Sequence, residues 1–333
     1  MQRSEAFSTR QSPLPRNNLG AAPPLVPTTR SEPARGLRKL RGEAHALLRY
    51  ERQMLAAALA AQQAQLERMR AELRAARGII AEHQRVQHDL AMAQQIQRQM
   101  LPAVFPDIPG LALAAMTRPA QGVGGDLYDV VRLDTHRVAL LLGDVAGKGI
   151  PAALEMARLL GDFRACVRVS AATQDVIQTL NRWWCQRHTR VSTFVTVQYV
   201  VLDLAAHCMQ FICAGHPPIL RRRADGYVEP LGTAPNIPLG IEAKFPYQQE
   251  TCALAPGETL LLYSDGVYER QSRQGERLGL PRLQEVLAAA PPHPAAMITT
   301  IQAALVMFGD ARTLQDDMTM LCAHLHADSP PTS

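Results

Sequence analysis

Four aspartates in this chain stand where an apolar run meets a turn. Asp126 lies in "GVGGDLYDV", Asp144 follows "VALLLG", Asp265 follows "TLLLYS", and Asp316 directly precedes "DMTMLC". A single aspartate at a strand end is ordinarily a turn former or a helix cap. Apolar strands converging in one sheet would gather all four, and clustered carboxylates are unfavourable unless cations neutralise them. A donor set of oxygens without His or Cys suits hard divalent ions, Mg²⁺ or Mn²⁺, rather than zinc. Two such ions, about 3.5–4 Å apart, can hold a bridging water, lower its pKa and stabilise in-line attack on a phosphoryl group. The chemistry predicted is hydrolysis of a phosphate ester.

The elements that must position these acids lie between about residues 104 and 326. Short β-like runs at 138–142, 194–202, 209–213, 259–263 and 318–322 are separated by turn signals, and two helical stretches follow Gly149 and Gln174. Strands and helices are grouped rather than strictly alternating, which predicts an α+β fold with an antiparallel sheet core. Gly147 and Gly149 give the chain the freedom to turn sharply after Asp144.

Two segments precede this region. Residues 1–40 are rich in Pro, Ser, Thr and Arg with no apolar period, predicting a disordered basic leader. Residues 41–101 change to Ala, Gln, Arg, Glu and Leu. Leu59, Leu66, Leu73 and Ile80 recur every seven residues, with Leu48, Leu55, Met69 and Ala76 as the companion row, interrupted by Gln62. Those rows predict a coiled coil pairing two copies of the chain, set against a long helix folded back on its own domain. After Gly78 the row passes to Ile79, Val86, Ala93 and Met100, so either the seam rotates or one helix ends and another begins. Pro102 and Pro106 stop the helix, and residues 327–333 read as a disordered tail.

Composition narrows the function. With 333 residues, 47% of them hydrophobic, the chain can build a full core. Residues 1–103 hold 16 Lys and Arg against 8 Asp and Glu, so the net charge of +5 comes entirely from the front. That segment has almost no aromatic residues to stack on bases, which argues against nucleic acid as a partner. No apolar run reaches the length of a membrane span and no signal peptide is evident, predicting a cytoplasmic protein. The six cysteines form no CxxC pair and read as reduced packing residues.

The ordered segments "GVGGDLYDV", "GDVAGKGIPAAL", "FVTVQYVVLDLAAHCMQFICAGHPPIL", "NIPLGI", "LAPGETLLLYSDGVYE" and "DDMTML", with the lead-in "AMAQQIQRQMLP", resemble the signatures of bacterial PPM (protein phosphatase 2C-like) serine/threonine phosphatases of the RsbU/SpoIIE branch. The resemblance covers about residues 85–326 and implies an α-β-β-α sandwich of antiparallel sheets using two Mn²⁺ or Mg²⁺ ions. It further implies that Asp144 bridges both ions, that Asp265 and Asp316 complete one site, and that Asp126 and the backbone carbonyl of Val145 serve the other. Asp129 and Asp317 are expected to hold waters or orient ligands, and Gly125, Gly147 and Gly266 to permit close backbone approach. By the same resemblance the substrate is a phosphorylated STAS-type anti-sigma factor antagonist in a partner-switching pathway, under an upstream signalling partner not identified by the sequence. The competing readings are a non-catalytic coiled-coil adaptor that keeps the fold, and a hydrolase of small phosphoesters. His216 in "AGHPP" reads either as a general acid or as a residue packing a turn; Arg221, Arg222 and Arg223 read as a solvated edge.

Overall fold

A computed structural model describes residues 33–170, 172–187, 193–309 and 314–326. The expected leader up to residue 32 and the tail 327–333 lie outside the described residues. The chain divides into two units, 1–80 and 81–333.

Helix α1 (Pro33–Met100) is continuous through Gly78, so the change of row there is not a helix end. It starts at Pro33, earlier than the expected boundary near residue 41, because a proline in the first turn lacks an N–H that no helix bond would use there. In the first unit Leu48, Leu55, Leu59, Leu66, Met69, Leu73 and Ile80 are all exposed along this helix.

The second unit continues with β1 (Leu111–Arg118), β2 (Asp126–Arg132), β3 (Arg137–Val145), α2 (Gly149–Val169) and α3 (Thr173–Arg187). There follow β4 (Val195–Asp203), β5 (Cys208–Ala214), β6 (Ile219–Arg222), β7 (Val228–Leu231), β8 (Glu250–Ala253), β9 (Thr259–Tyr263), α4 (Asp265–Tyr268), α5 (Gly279–Ala289), α6 (Pro294–Phe308) and β10 (Met318–Leu325). One five-stranded sheet has the order β1-β10-β9-β6-β7 and the other β2-β3-β4-β5-β8, with antiparallel pairing throughout. This is the expected α-β-β-α sandwich.

Three apolar layers follow from the period of two along each strand. In β3, Leu140 and Leu142 face the other sheet and join Val200, Phe211, Leu262 and Leu321, while Leu141 points outward to Phe163 of α2 and Trp184 of α3. Helices α5 and α6 cover the outer face of the β9/β10 sheet through Leu283, Leu287, Met297 and Ile301. The apolar pattern did not mark these two helices, although the resemblance implied a helical layer on this face. In α6 the apolar residues run almost all round, so no single stripe marks its period.

Arg221 corrects the expectation of a solvated edge. Its guanidinium is largely buried in β6, where it donates to Glu229 on β7 and to the Ala253 carbonyl of β8.

Candidate active site

The four aspartates meet at one end of the sandwich. Asp126 opens β2 and sits directly opposite Asp144 in the β2–β3 register. Opposed residues of an antiparallel pair point to the same face, so both carboxylates enter the gap between the sheets. From the other sheet, Asp265 starts α4 immediately after β9, and Asp316 and Asp317 lead into β10. A cleft of about 550 Å³ is lined by Asp144, Ala146, Gly147, Phe194, His216, Asp265 and Tyr268.

Backbone packing around the acids is close. A Cβ on Gly125 would lie 2.5 Å from the Val145 carbonyl oxygen, and one on Gly266 would lie 2.0 Å from the Asp317 carbonyl, so only glycine fits at either position. The Val145 N–H also donates to the Gly125 carbonyl.

Each acid has a distinct set of partners. Asp126 is buried; its Oδ2 accepts from the Ser264 hydroxyl at 2.7 Å, while Oδ1 is buried without a protein partner. Asp317 accepts from the backbone N–H groups of Ala120 at 2.8 Å and Gly125 at 2.7 Å, which ties the loop before Asp126 to the start of β10. Asp316 accepts from the Lys148 ammonium at 2.9 Å. Lys148 also donates to the Gln315 carbonyl, so it joins the turn after Asp144 to the segment carrying Asp316.

Asp129 does not belong to this group. Three residues along a strand reverse the face, and Asp129 points away from the inter-sheet gap to pair with Arg164 of α2 at 2.7 Å. The same guanidinium donates to the Met100 carbonyl at the end of α1.

The electrostatics register the crowding. Burial, then the neighbouring Asp265, Asp316 and Asp317, push Asp144 up to about 8, with Lys148 partly offsetting them. Burial, then Asp144 and Asp317, hold Asp126 well above the usual carboxylate range. Asp265 is raised by burial and by Asp316 and Glu269; Asp317 is raised chiefly by burial, against the pull of its backbone donors. An orphaned buried oxygen, an all-oxygen donor set and mutually raised carboxylates fit hard divalent cations. Among the described residues no three His, Cys, Asp or Glu side chains are already gathered tightly enough to hold one ion.

His216 is decided by its contacts. Both ring nitrogens are engaged by protein groups, and burial lowers the ring to about 4, so the imidazole is neutral and is not placed as a proton donor to a leaving group.

Sequence reasoning missed Gln97. In the last turn of α1 its amide donates to the Gly124 carbonyl at 2.6 Å, and its Oε1 accepts from the Gly124 N–H, two residues before Asp126. Its place in the lead-in "AMAQQIQRQMLP" was the available signal. Gln97→Ala leaves two buried backbone groups unpaired and is expected to lower stability by about 1–3 kcal/mol. Urea unfolding followed through buried Trp184 measures this; an unchanged midpoint would contradict the clamp.

The sandwich and the inter-sheet carboxylates define a chain of the protein phosphatase 2C-like fold. The family model described as Stage II sporulation protein E (SpoIIE) matches residues 134–326, more than half of the chain, and the chain belongs to that family. It is 28% identical over 241 residues to "Phosphoserine phosphatase RsbU" of Bacillus subtilis, covering 72% of this chain and 70% of that one. It is 27% identical over 267 residues to "Protein IcfG" of Synechocystis, covering 71% of this chain but only 41% of IcfG. Among solved structures, the SiaA-PP2C domain of Pseudomonas aeruginosa superposes with a TM-score of 0.65 at 21% identity, covering 74% of this chain and 99% of that domain.

Proposed function

We propose that this chain is a cytoplasmic, metal-dependent phosphatase acting on phosphoserine or phosphothreonine of a regulatory protein. The observation that carries the reading is the convergence of Asp126, Asp144, Asp265 and Asp316 from two sheets, with Asp126 Oδ1 buried and unpartnered. Relatives named phosphoserine phosphatase support it.

In this reading Asp144 would be shared by both ions, Asp265 and Asp316 would hold one of them, and Asp126 and the Val145 carbonyl would hold the other. When bound, two Mn²⁺ or Mg²⁺ ions supply Lewis-acid stabilisation of the phosphoryl oxygens and a water ionised near neutral pH. Ser264 fixes one oxygen of Asp126 and so aims the other. Asp317 holds the Gly125 backbone in place and thereby the approach of Asp126 to Val145. Phe194 and Tyr268 wall the cleft.

The proposed substrate is a phosphorylated STAS-type anti-sigma factor antagonist. Mn²⁺-dependent turnover of such a phosphoprotein, well above that of a small chromogenic phosphate, is the expected result, and Asp144→Asn is the control. Equal preference for the small ester would move the reading to a small-phosphoester hydrolase; no turnover of either would leave the adaptor.

Residues 41–101 are proposed to pair two copies of the chain ahead of a phosphatase domain at 104–326. The exposed heptad row on α1 supports this, since such a row is stable in water only when covered. Charging it at Leu66→Glu and Leu73→Glu is expected to convert a dimer into a monomer in light scattering, and an unchanged mass would exclude the pairing. Arg164, which joins Met100 to Asp129 and α2, and Gln97, which joins α1 to Gly124, form the route by which a shift of α1 would reach the site under an upstream signalling partner.

A further inference from the structure

The two sheets are held together over most of their area by apolar packing, which is non-directional. At the end that carries the carboxylates, a different arrangement replaces it. Strand β6 pairs with β9 through Leu220 opposite Leu261 and Arg222 opposite Thr259. Two residues further along that register, Pro218 would stand opposite Tyr263. Proline has no N–H to donate, so the ladder cannot continue past this point. The N–H and carbonyl of Tyr263, a fully buried residue, are thereby left on an open strand edge.

Side chains from the opposite sheet's strand and from the β5–β6 turn complete that edge. Gln198 of β4 accepts from the Tyr263 N–H at 3.2 Å and donates through Nε2 to the Pro217 carbonyl at 2.7 Å. His216 Nε2 lies 3.0 Å from the Tyr263 carbonyl, and its Nδ1 lies 2.7 Å from the Thr196 hydroxyl. A carbonyl only accepts, so Nε2 carries the proton; in the neutral ring Nδ1 then accepts from Thr196.

These partners sit beside the acids. Thr196 is opposite Asp144 in the β3–β4 register, and Tyr263 is two residues before Asp265. We propose that His216 and Gln198 are positioning residues that fix the separation of Asp144 from Asp265 by hydrogen-bonding β4 to the proline-opened edge of β9. Apolar contact tolerates small sliding of one sheet over the other; four directional bonds, two of them to the N–H and carbonyl of buried Tyr263, do not. The role is distinct from that of Ser264, which crosses between the sheets to Asp126. It also gives the "AGHPP" segment a physical logic: Pro218 stops the ladder, and His216, with Gln198 of β4, takes its place.

This inference rests on the two-ion reading above, and its test is Mn²⁺ binding by the full chain, measured calorimetrically, together with thermal unfolding in EDTA. Thr196→Val and His216→Ala are expected to weaken Mn²⁺ binding by about tenfold or more, the range for loss of groups that orient ligands. The KM for the phosphoprotein at saturating Mn²⁺ should stay close to that of the unaltered chain. His216→Gln, which keeps a donor near Nε2, should recover much of the affinity lost in His216→Ala. Mn²⁺ affinity within about twofold of the unaltered chain in both Thr196→Val and His216→Ala would overturn the proposal, as would a His216→Gln no better than His216→Ala. If His216→Ala does not fold, Thr196→Val decides the matter, because it removes one hydroxyl and preserves shape. Asp144→Asn separates the two levels: if it binds Mn²⁺ as the unaltered chain does, the two-ion reading itself fails and this proposal fails with it.

Discussion

Replacing Asp144 by asparagine is expected to reduce phosphatase turnover by about a thousandfold, the scale for removing a group that stabilises charge in a transition state. Asparagine keeps the size and one oxygen of the side chain but loses the charge that, in the proposed reading, both ions would share. The same change should leave the metal-free fold intact or firmer. Burial and the nearby Asp265, Asp316 and Asp317 raise Asp144 to about 8, so its charged form is resisted by the surroundings, and a neutral amide relieves that conflict. Loss of activity with an unchanged or higher melting midpoint in EDTA therefore points to chemistry. Loss of both would mean a structural role, and more than about a tenth of the activity retained would remove Asp144 from the mechanism.

The second large effect is on stability, and its sign follows from the same carboxylates. A carboxyl group raised in the folded state binds its proton there more tightly than in the unfolded chain. Its contribution is fully present below the ordinary value of 3.8 and is lost as pH rises through about 8 for Asp144. Asp126, Asp265 and Asp317 are raised too and act in the same direction. The metal-free chain should thus melt at progressively lower temperature from about pH 5 to pH 8. Mn²⁺ at about a hundred times its dissociation constant adds about 2.7 kcal/mol, or about 5–10 °C for a domain of this size. The gain should be larger at pH 8 than at pH 5, because at low pH the ion competes with protons. Melting curves followed by tryptophan fluorescence with Mn²⁺ or EDTA check this. A metal-free midpoint that rises with pH, or no response to Mn²⁺ at pH 8, would contradict it.

Much of the placement of the aspartates was legible because strands announce themselves locally. The run before Asp144 and the one before Asp265 are continuous apolar segments ended by small residues, and β3 and β9 lie where those runs predict. The heptad row of α1 was equally plain, since its period is carried by leucines seven apart. Asp129 was misassigned for a reason also present locally. It is three residues from Asp126 in one strand, so the alternation of faces separates them, and Arg164 claims it on the far side. The short strands β6, β7 and β8 carry too few residues to show a period, and α6 is too uniformly apolar to show a stripe.

The sequence by itself determined which acids end which apolar runs and where glycine must allow a turn. Those are properties of residue type and of spacing along the chain. Only the tertiary structure decided which acids share a face, because facing depends on register across strands far apart in sequence. It also decided that Asp317 holds the Gly125 backbone, that Lys148 rests on Asp316, that Gln97 clamps Gly124 and that His216 joins the sheets. Each of those contacts spans 27 to 192 residues, and no local period encodes a hydrogen bond of that reach.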